Sequence, residues 1–155
     1  MKVIARSNRG QELPELERAE LGYPAHIVLP ITKGQEYGVL SMALMAPFLD
    51  FDYFGLMYLI LRDHGLPGWV PGSLFEESDP RLSNHWRFER FPPRSDSPWR
   101  GLWGYDSMIN DRSHNDSLIE LEESAQRVFL SEVDRSCLAG RDEEHLLNLA
   151  RSLNL

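Results

Sequence analysis

The sequence predicts an α+β domain in which a small, strongly curved antiparallel sheet precedes two helices. Three observations predict this class. Short alternating apolar and polar segments, separated by turn residues, fill residues 2–91. Residues 92–116 hold three prolines and two glycines without a sustained period, which is typical of a long loop. Residues 117–155 return to the helical period. A chain of 155 residues has the size of a single domain.

The first predicted strand covers Lys2–Arg6, with Val3 and Ala5 on one face. Residues 7–10 read as a turn. Residues 12–20 contain many carboxylates and a proline, so one or two irregular helical turns and a solvated loop both remain open.

Two longer segments form the centre of the predicted sheet. Residues 36–45 alternate as a strand, and Tyr53–Leu61 is its expected partner. Because apolar residues fill both faces of the second segment, we expect a central strand covered on both sides. Periodicity alone leaves a helix of these residues open. Further short strands are expected at Trp69–Val70 and Trp86–Arg90.

Two helices are expected at the end of the chain. Ser117 and Glu120 have the spacing of a capping box. One apolar stripe follows, formed by Leu118, Leu121, Ala125, Val128 and Phe129. Gly140 is the expected stop, and residues 142–153 form the second helix. These stripes would pack on the sheet or form a dimer interface.

The charge balance restricts the class of partner. The chain has 24 acidic and 16 basic residues, for a formal net charge of −8. Such a protein is repelled by phosphate backbones, so we expect no direct nucleic-acid binding. The same field attracts a basic protein and speeds its association, although the charge would also serve solubility alone.

Other features of the sequence argue against a disulfide framework, a multi-cysteine zinc site and a membrane span. The single cysteine, Cys137, excludes an internal disulfide framework and a multi-cysteine zinc site. Asp50, Asp52 and Arg62 interrupt the longest apolar stretches, so we expect no membrane span. The first residues have no apolar segment of signal-peptide length, and we therefore expect a cytoplasmic protein.

Six carboxylates at the ends of the predicted strands form the first candidate site. Strand ends of a small barrel can gather at one rim and present a negative patch to a basic partner. Ordinary solvated turn residues are the alternative. The six are Asp50, Asp52, Asp63, Glu76, Glu77 and Asp79.

Aromatic residues of the predicted loop form the second candidate site. Trp99, Trp103 and Tyr105, with Arg94 and Arg100, are residue types enriched at interface hot spots. A loop that folds back over the sheet and covers it is the alternative.

Asp111, His114 and Asp116 could bind a metal or act in acid–base chemistry, although the segment also reads as a polar helix entry. A small hydrolase that uses His114 with Asp111 is therefore a further hypothesis. The sequence has no GxSxG, HExxH or phosphate-binding glycine motif, so no catalytic residues are predicted.

The segment Gly68–Phe75 resembles the closing pattern of SH3-like barrels, in which a Gly-Trp-Val-Pro step leads into a short turn and a last strand. The resemblance implies an SH3-like barrel for about residues 2–91. It also implies an alternative function, a peptide-binding module with Tyr53, Tyr58 and Trp69 as its groove. The aromatic-rich opening motif of peptide-binding SH3 domains is absent.

In size and charge, the whole chain resembles small bacterial immunity proteins of contact-dependent inhibition and type VI secretion. The resemblance implies a cytoplasmic monomer or weak dimer that binds a basic protein toxin, commonly a nuclease, and occludes its active site. It implies no enzymatic activity and no cofactor.

Overall fold

The computed structural model describes residues 1–46, 54–92, 98–111 and 113–135. Within these ranges the α+β prediction is confirmed, because one antiparallel sheet of seven strands is accompanied by four α-helices. The strands are β1 (Lys2–Ala5), β2 (Glu36–Met45), β3 (Gly55–Leu61), β4 (Pro67–Pro71), β5 (Phe75–Asp79), β6 (Arg87–Arg90) and β7 (Trp99–Gly104). The helices are α1 (Glu15–Glu20), α2 (Asp106–Asn110), α3 (His114–Ile119) and α4 (Glu123–Arg135), and 3₁₀ turns occupy Gly10–Glu12 and Gly72–Leu74.

The long strand β2 organises the sheet. Its neighbour along one edge is β3, and its other edge is shared by two strands. Residues 36–38 of that edge pair with β1, and residues 41–45 pair with β7. The main path is therefore β4-β3-β2-β1-β5, with the β7–β6 pair as a branch. Among the described strands the path remains open, so they form an open sheet rather than the closed SH3-like barrel expected for about residues 2–91.

Strand β3 is a central strand covered on both faces, as its apolar sequence predicts. Tyr58 and Ile60 belong to one buried cluster, and Met57 and Leu59 belong to another on the opposite face. We call the first the inner core; it also contains Val3, Ala5, Leu13, Leu29, Ile31, Tyr37, Val39, Val70, Leu74 and Phe75. We call the second the helix-side core; it also contains Leu40, Ala43, Met45, Leu102, Tyr105, Met108, Leu118, Ala125, Phe129 and Val133.

The prediction that residues 92–116 form a loop is wrong over most of the described part. Residues 99–104 form β7, and residues 106–110 form α2. The reason is non-local, since β7 pairs with the portion of the β2 edge that lies beyond β1. Two glycines in β7, Gly101 and Gly104, removed the alternating pattern that would have indicated a strand.

The first predicted C-terminal helix is two helices. Helix α3 ends in a Schellman motif, in which the Glu122 amide donates to the Ser117 carbonyl (2.9 Å) and the Leu121 amide donates to the Leu118 carbonyl (3.2 Å). Leu121 has a φ of 60° and is exposed, so it is not part of the buried stripe. Ser117 lies inside α3 rather than capping a helix. The predicted stop at Gly140, the helix over 142–153 and Cys137 lie outside the described residues.

Among the described helices, none has both the length and the apolar composition to cross a membrane.

Candidate functional site

One residue from each of five neighbouring strands lies in a single row across the sheet. Directly opposite residues of antiparallel strands share a face, so the side chains of this row project together. The row is Phe88 (β6), Trp103 (β7), Met42 (β2), Tyr58 (β3) and Val70 (β4). Val70 and Tyr58 are buried in the inner core, whereas Phe88 is 52% exposed. The face of the sheet that lines the inner core therefore reaches the surface at β6.

Two aromatic rings are stacked where this row reaches the surface. The ring centroids of Phe88 and Trp103 are 4.6 Å apart with an interplanar angle of 29°. Both rings approach Gly101, where a Cβ atom would lie 3.1 Å from the Phe88 ring and 3.3 Å from the Trp103 ring. We call Met42, Phe88 and Trp103 the aromatic ledge. Met42 and Trp103 are half-buried, so the ledge continues the inner core into solvent.

The carboxylates of strand β5 lie on an edge of the same sheet, and we call Glu76, Glu77 and Asp79 the acidic strand. Glu76 and Glu77 are exposed. The Arg81 guanidinium hydrogen-bonds Asp79 at 2.7 Å and holds the pKa of that carboxyl well below its usual range. Burial and, secondarily, the charge of Glu77 raise the pKa of Tyr58. Glu77 pairs with Val3 of the inner core, so its side chain lies on the same face of the sheet as the ledge row, whereas Glu76 pairs with Ile4 and lies on the other face.

Asp63 belongs to a different element, the turn between β3 and β4. Its carboxylate accepts hydrogen bonds from the Tyr37 hydroxyl (2.5 Å) and the Thr32 hydroxyl (2.8 Å). Burial and the bond to Asp63 raise the pKa of Tyr37 to about 12. Asp63 thus connects this turn to the segment before β2, which is a structural role. Asp50 and Asp52, like Arg94, lie outside the described residues.

Trp99 lies on the opposite face from Trp103 although regular alternation would place both on one face. A register shift between Leu44 and Met45 reverses the order, so Trp99 pairs with Met45 of the helix-side core. Its ring meets the Trp69 ring edge-on at 5.3 Å. The Trp69 indole N–H donates to the Asn115 side-chain oxygen at 2.9 Å. Trp99 and Trp69 therefore anchor the helices to the sheet.

Tyr105 is a core residue rather than an exposed anchor. It is 1% exposed, and its hydroxyl is hydrogen-bonded to His114 Nε2 at 2.8 Å. Burial, with a smaller contribution from the charge of Glu132, raises the pKa of Tyr105. Burial lowers the pKa of His114, and the charge of Asp111 opposes this effect.

The described geometry gives the hydrolase hypothesis no support. His114 is buried against Tyr105, whereas Asp111 is exposed and accepts hydrogen bonds from the Ser113 amide and hydroxyl. No group of three metal-ligating side chains occurs among the described residues.

Two members of the ledge, Phe88 and Met42, were not singled out from the sequence. Both lie in segments predicted as strands, so their side-chain direction was available from alternation. Their importance depends on the cross-strand register with β7, which the sequence did not indicate.

Comparisons of the chain with protein-family models, curated proteins and solved structures gave no match.

Proposed function

We propose that this protein is an immunity protein that binds a basic protein toxin and covers its active site. The observation that carries the proposal is the aromatic ledge, with the acidic strand on the same sheet. A stacked, partly exposed aromatic pair on the same sheet as exposed carboxylates is suited to a partner that has an apolar pocket and a basic surface.

The ledge would supply most of the binding free energy. Phe88 and Trp103 are already stacked on each other, so binding restricts few additional side-chain rotamers. Aromatic residues of this kind are the usual hot spots of protein interfaces. Met42 extends the apolar surface next to Trp103.

The acidic strand would act mainly on the association rate. The charge of Asp79 is matched by Arg81, whereas Glu76 and Glu77 face solvent. Together with the net charge of −8, these two carboxylates attract basic residues, as the active site of a nuclease commonly presents. The toxin identity is supported by the size and charge that the chain shares with immunity proteins.

The test uses the protein encoded beside this chain's gene as the binding partner, with association and dissociation rates measured at several salt concentrations. We expect W103A to increase the dissociation rate at least tenfold, and E76K/E77K to slow association and reduce its salt dependence. E120K/E122K, which changes two exposed carboxylates between α3 and α4, is the charge-matched control. Equal rates for wild type, W103A and E76K/E77K would show that this site does not bind the partner. If cells that produce the partner survive without this protein, the partner is not a toxin and the immunity function is wrong.

A second candidate, an SH3-like binding module, is favoured by one observation. The segment Gly68–Phe75 forms β4, a short 3₁₀ turn at Gly72–Leu74 and the start of β5, as the resemblance to SH3-like barrels implies for it. Of the groove residues expected for it, Tyr58 is buried and Trp69 is bonded to Asn115, while Tyr53 lies outside the described residues. A proline-rich peptide that binds wild type but not W103A would favour this module over a toxin inhibitor.

A further inference from the structure

Strand β6 pairs with β7 along one edge. The pattern of hydrogen bonds in that pairing determines which backbone N–H and C=O groups of β6 point toward its other edge. The Phe91 amide donates to the Arg100 carbonyl at 3.0 Å, directly across the hairpin. Hydrogen-bonded pairs alternate with non-hydrogen-bonded pairs in an antiparallel ladder. The pairs Glu89–Leu102 and Arg87–Gly104 are therefore hydrogen-bonded. The backbone N–H and C=O groups of Phe88 and Arg90 consequently point away from β7, toward the outer edge.

We propose that a second copy of this chain pairs with the outer edge of β6, antiparallel and about a two-fold axis at Phe88. This inference goes beyond the proposed function and does not depend on it. Two features of β6 indicate a second copy as the partner. Its outward-pointing backbone groups can pair with those of an identical strand, and it contains both basic and acidic residues, Arg87, Glu89 and Arg90, which can match across a two-fold axis.

Backbone parity allows only a few symmetric registers. The outward-pointing groups belong to even-numbered residues, so Phe88 can lie opposite Phe88, Arg90 or Trp86 of the second copy. If Phe88 lies opposite Arg90 of the second copy, the two-fold axis passes through Glu89 and places the two Glu89 residues opposite each other. If Phe88 lies opposite Trp86 of the second copy, the axis passes through Arg87 and places the two Arg87 residues opposite each other. Like charges directly opposite each other destabilise an antiparallel pair.

The Phe88-centred register is the one that matches charge. Arg87 then lies opposite Glu89 of the second copy, and this pair occurs twice because of the symmetry. The two Phe88 residues exchange both backbone hydrogen bonds. Each Arg90 amide then faces the Trp86 carbonyl of the other copy, which does not require the Trp86 amide that already donates to Ser83.

The pairing also extends the aromatic ledge. Phe88 and Trp103 of each copy share a face, so the dimer places Phe88 against Phe88 and Trp103 at each end of one row. Edge pairing occupies the side of β6 and leaves this face open to a partner. The interface is short, and we expect a weak, reversible dimer.

Sedimentation equilibrium of the whole chain tests the register by charge exchange. We expect E89R to weaken dimerisation about tenfold, since two attractive pairs become repulsive. The double variant R87E/E89R restores Arg opposite Glu and should return the dimer affinity to within about threefold of wild type. E122R, at an exposed site between α3 and α4, is the control with the same charge change and should dimerise like wild type. Circular dichroism confirms that each variant is folded.

Three outcomes would overturn the proposal: a wild-type protein that stays monomeric up to millimolar concentration, an E89R variant that behaves like E122R, or a double variant as weak as E89R. A second measurement does not depend on charge. In a C137S background, F88C should form a disulfide-linked dimer on mild oxidation, because Cα atoms of a hydrogen-bonded pair are about 5.5 Å apart. E76C, on the β5 edge, is its control and should remain monomeric. Absence of the F88C dimer would contradict the register.

Discussion

Two groups of aromatic residues on opposite faces of the sheet are used in opposite ways. On the helix-covered face, the Trp69 indole N–H is hydrogen-bonded to Asn115 and the Tyr105 hydroxyl is hydrogen-bonded to His114. The polar group of each aromatic side chain therefore has a partner on α3. On the other face, Phe88 and Trp103 stack on each other and remain partly exposed. The helix-covered face thus contributes mainly to stability, whereas the aromatic ledge is available for binding. The contrast shows that aromatic content alone does not identify an interface.

The largest expected effect comes from removing one phenylalanine from each face. Phe129 of α4 is fully buried in the helix-side core, and F129A should lower the free energy of unfolding by about 3–5 kcal/mol, through lost burial and a cavity. Phe88 is 52% exposed, and F88A should cost less than about 1 kcal/mol. Urea denaturation of both variants provides the measurement. Comparable losses would show that the ledge is a structural element rather than an available surface.

A smaller effect is expected from the hydroxyl of Tyr105. Y105F keeps the ring in the helix-side core but leaves His114 Nε2 without its partner at a buried position. The free energy of unfolding should fall by about 1–2 kcal/mol. S131A, which removes an exposed hydrogen bond from the Ser131 hydroxyl to the Val128 carbonyl, is the comparison and should cost less because water can replace it. A neutral Y105F would mean that the helix-covered face does not depend on matched polar atoms.

These contrasts explain what could be predicted from the sequence. Strand β2 was predicted with its observed bounds, Glu36–Met45, because alternation is local information. Strand β7 was missed because its two glycines hide the period and its partner is distant in sequence. The face of Trp99 depends on a register shift, and the burial of Tyr105 depends on His114, which comes from another element. Composition indicated the aromatic candidates, and only pairing geometry separated them.

Acid should lower the free energy of unfolding through His114, which lies on the helix-covered face. Burial lowers the pKa of His114 in the folded protein below the unfolded value of about 6.5. The unfolded chain therefore binds this proton first, and stability is lost as the pH falls below about 6.5 toward the folded pKa. The groups around the ring are the Tyr105 hydroxyl, the Asp111 carboxylate and, through Tyr105, Glu132.

The measurement is the free energy of unfolding at pH 7.5 and pH 5.5 in wild type and H114Q. We expect wild type to lose more stability than H114Q over this interval. H64Q is the control, since burial and Arg62 also lower the pKa of His64, but this side chain is exposed. A pH dependence that disappears in H64Q and persists in H114Q would show that His64 causes the effect, which would contradict the prediction.

The smallest effect is expected from one added methyl group on the ledge. In G101A, the new Cβ would lie 3.1 Å from the Phe88 ring and 3.3 Å from the Trp103 ring. These rings border solvent and can shift by a few tenths of an ångström, so the free energy of unfolding should change by about 0.5 kcal/mol or less. The same change at Gly104, in the same strand, meets Ser41 Oγ at 2.5 Å and Met108 Cγ at 3.3 Å on the helix-covered face. Ser41 is fully buried and donates to the Trp103 carbonyl, so G104A should cost about 1–3 kcal/mol. Both substitutions add one methyl group to β7, on opposite faces of the sheet, so equal costs would show that the ledge is packed as tightly as the helix-covered face. A change in Trp103 fluorescence in G101A, without a loss of stability, would show that the ledge rings move to accommodate the methyl group.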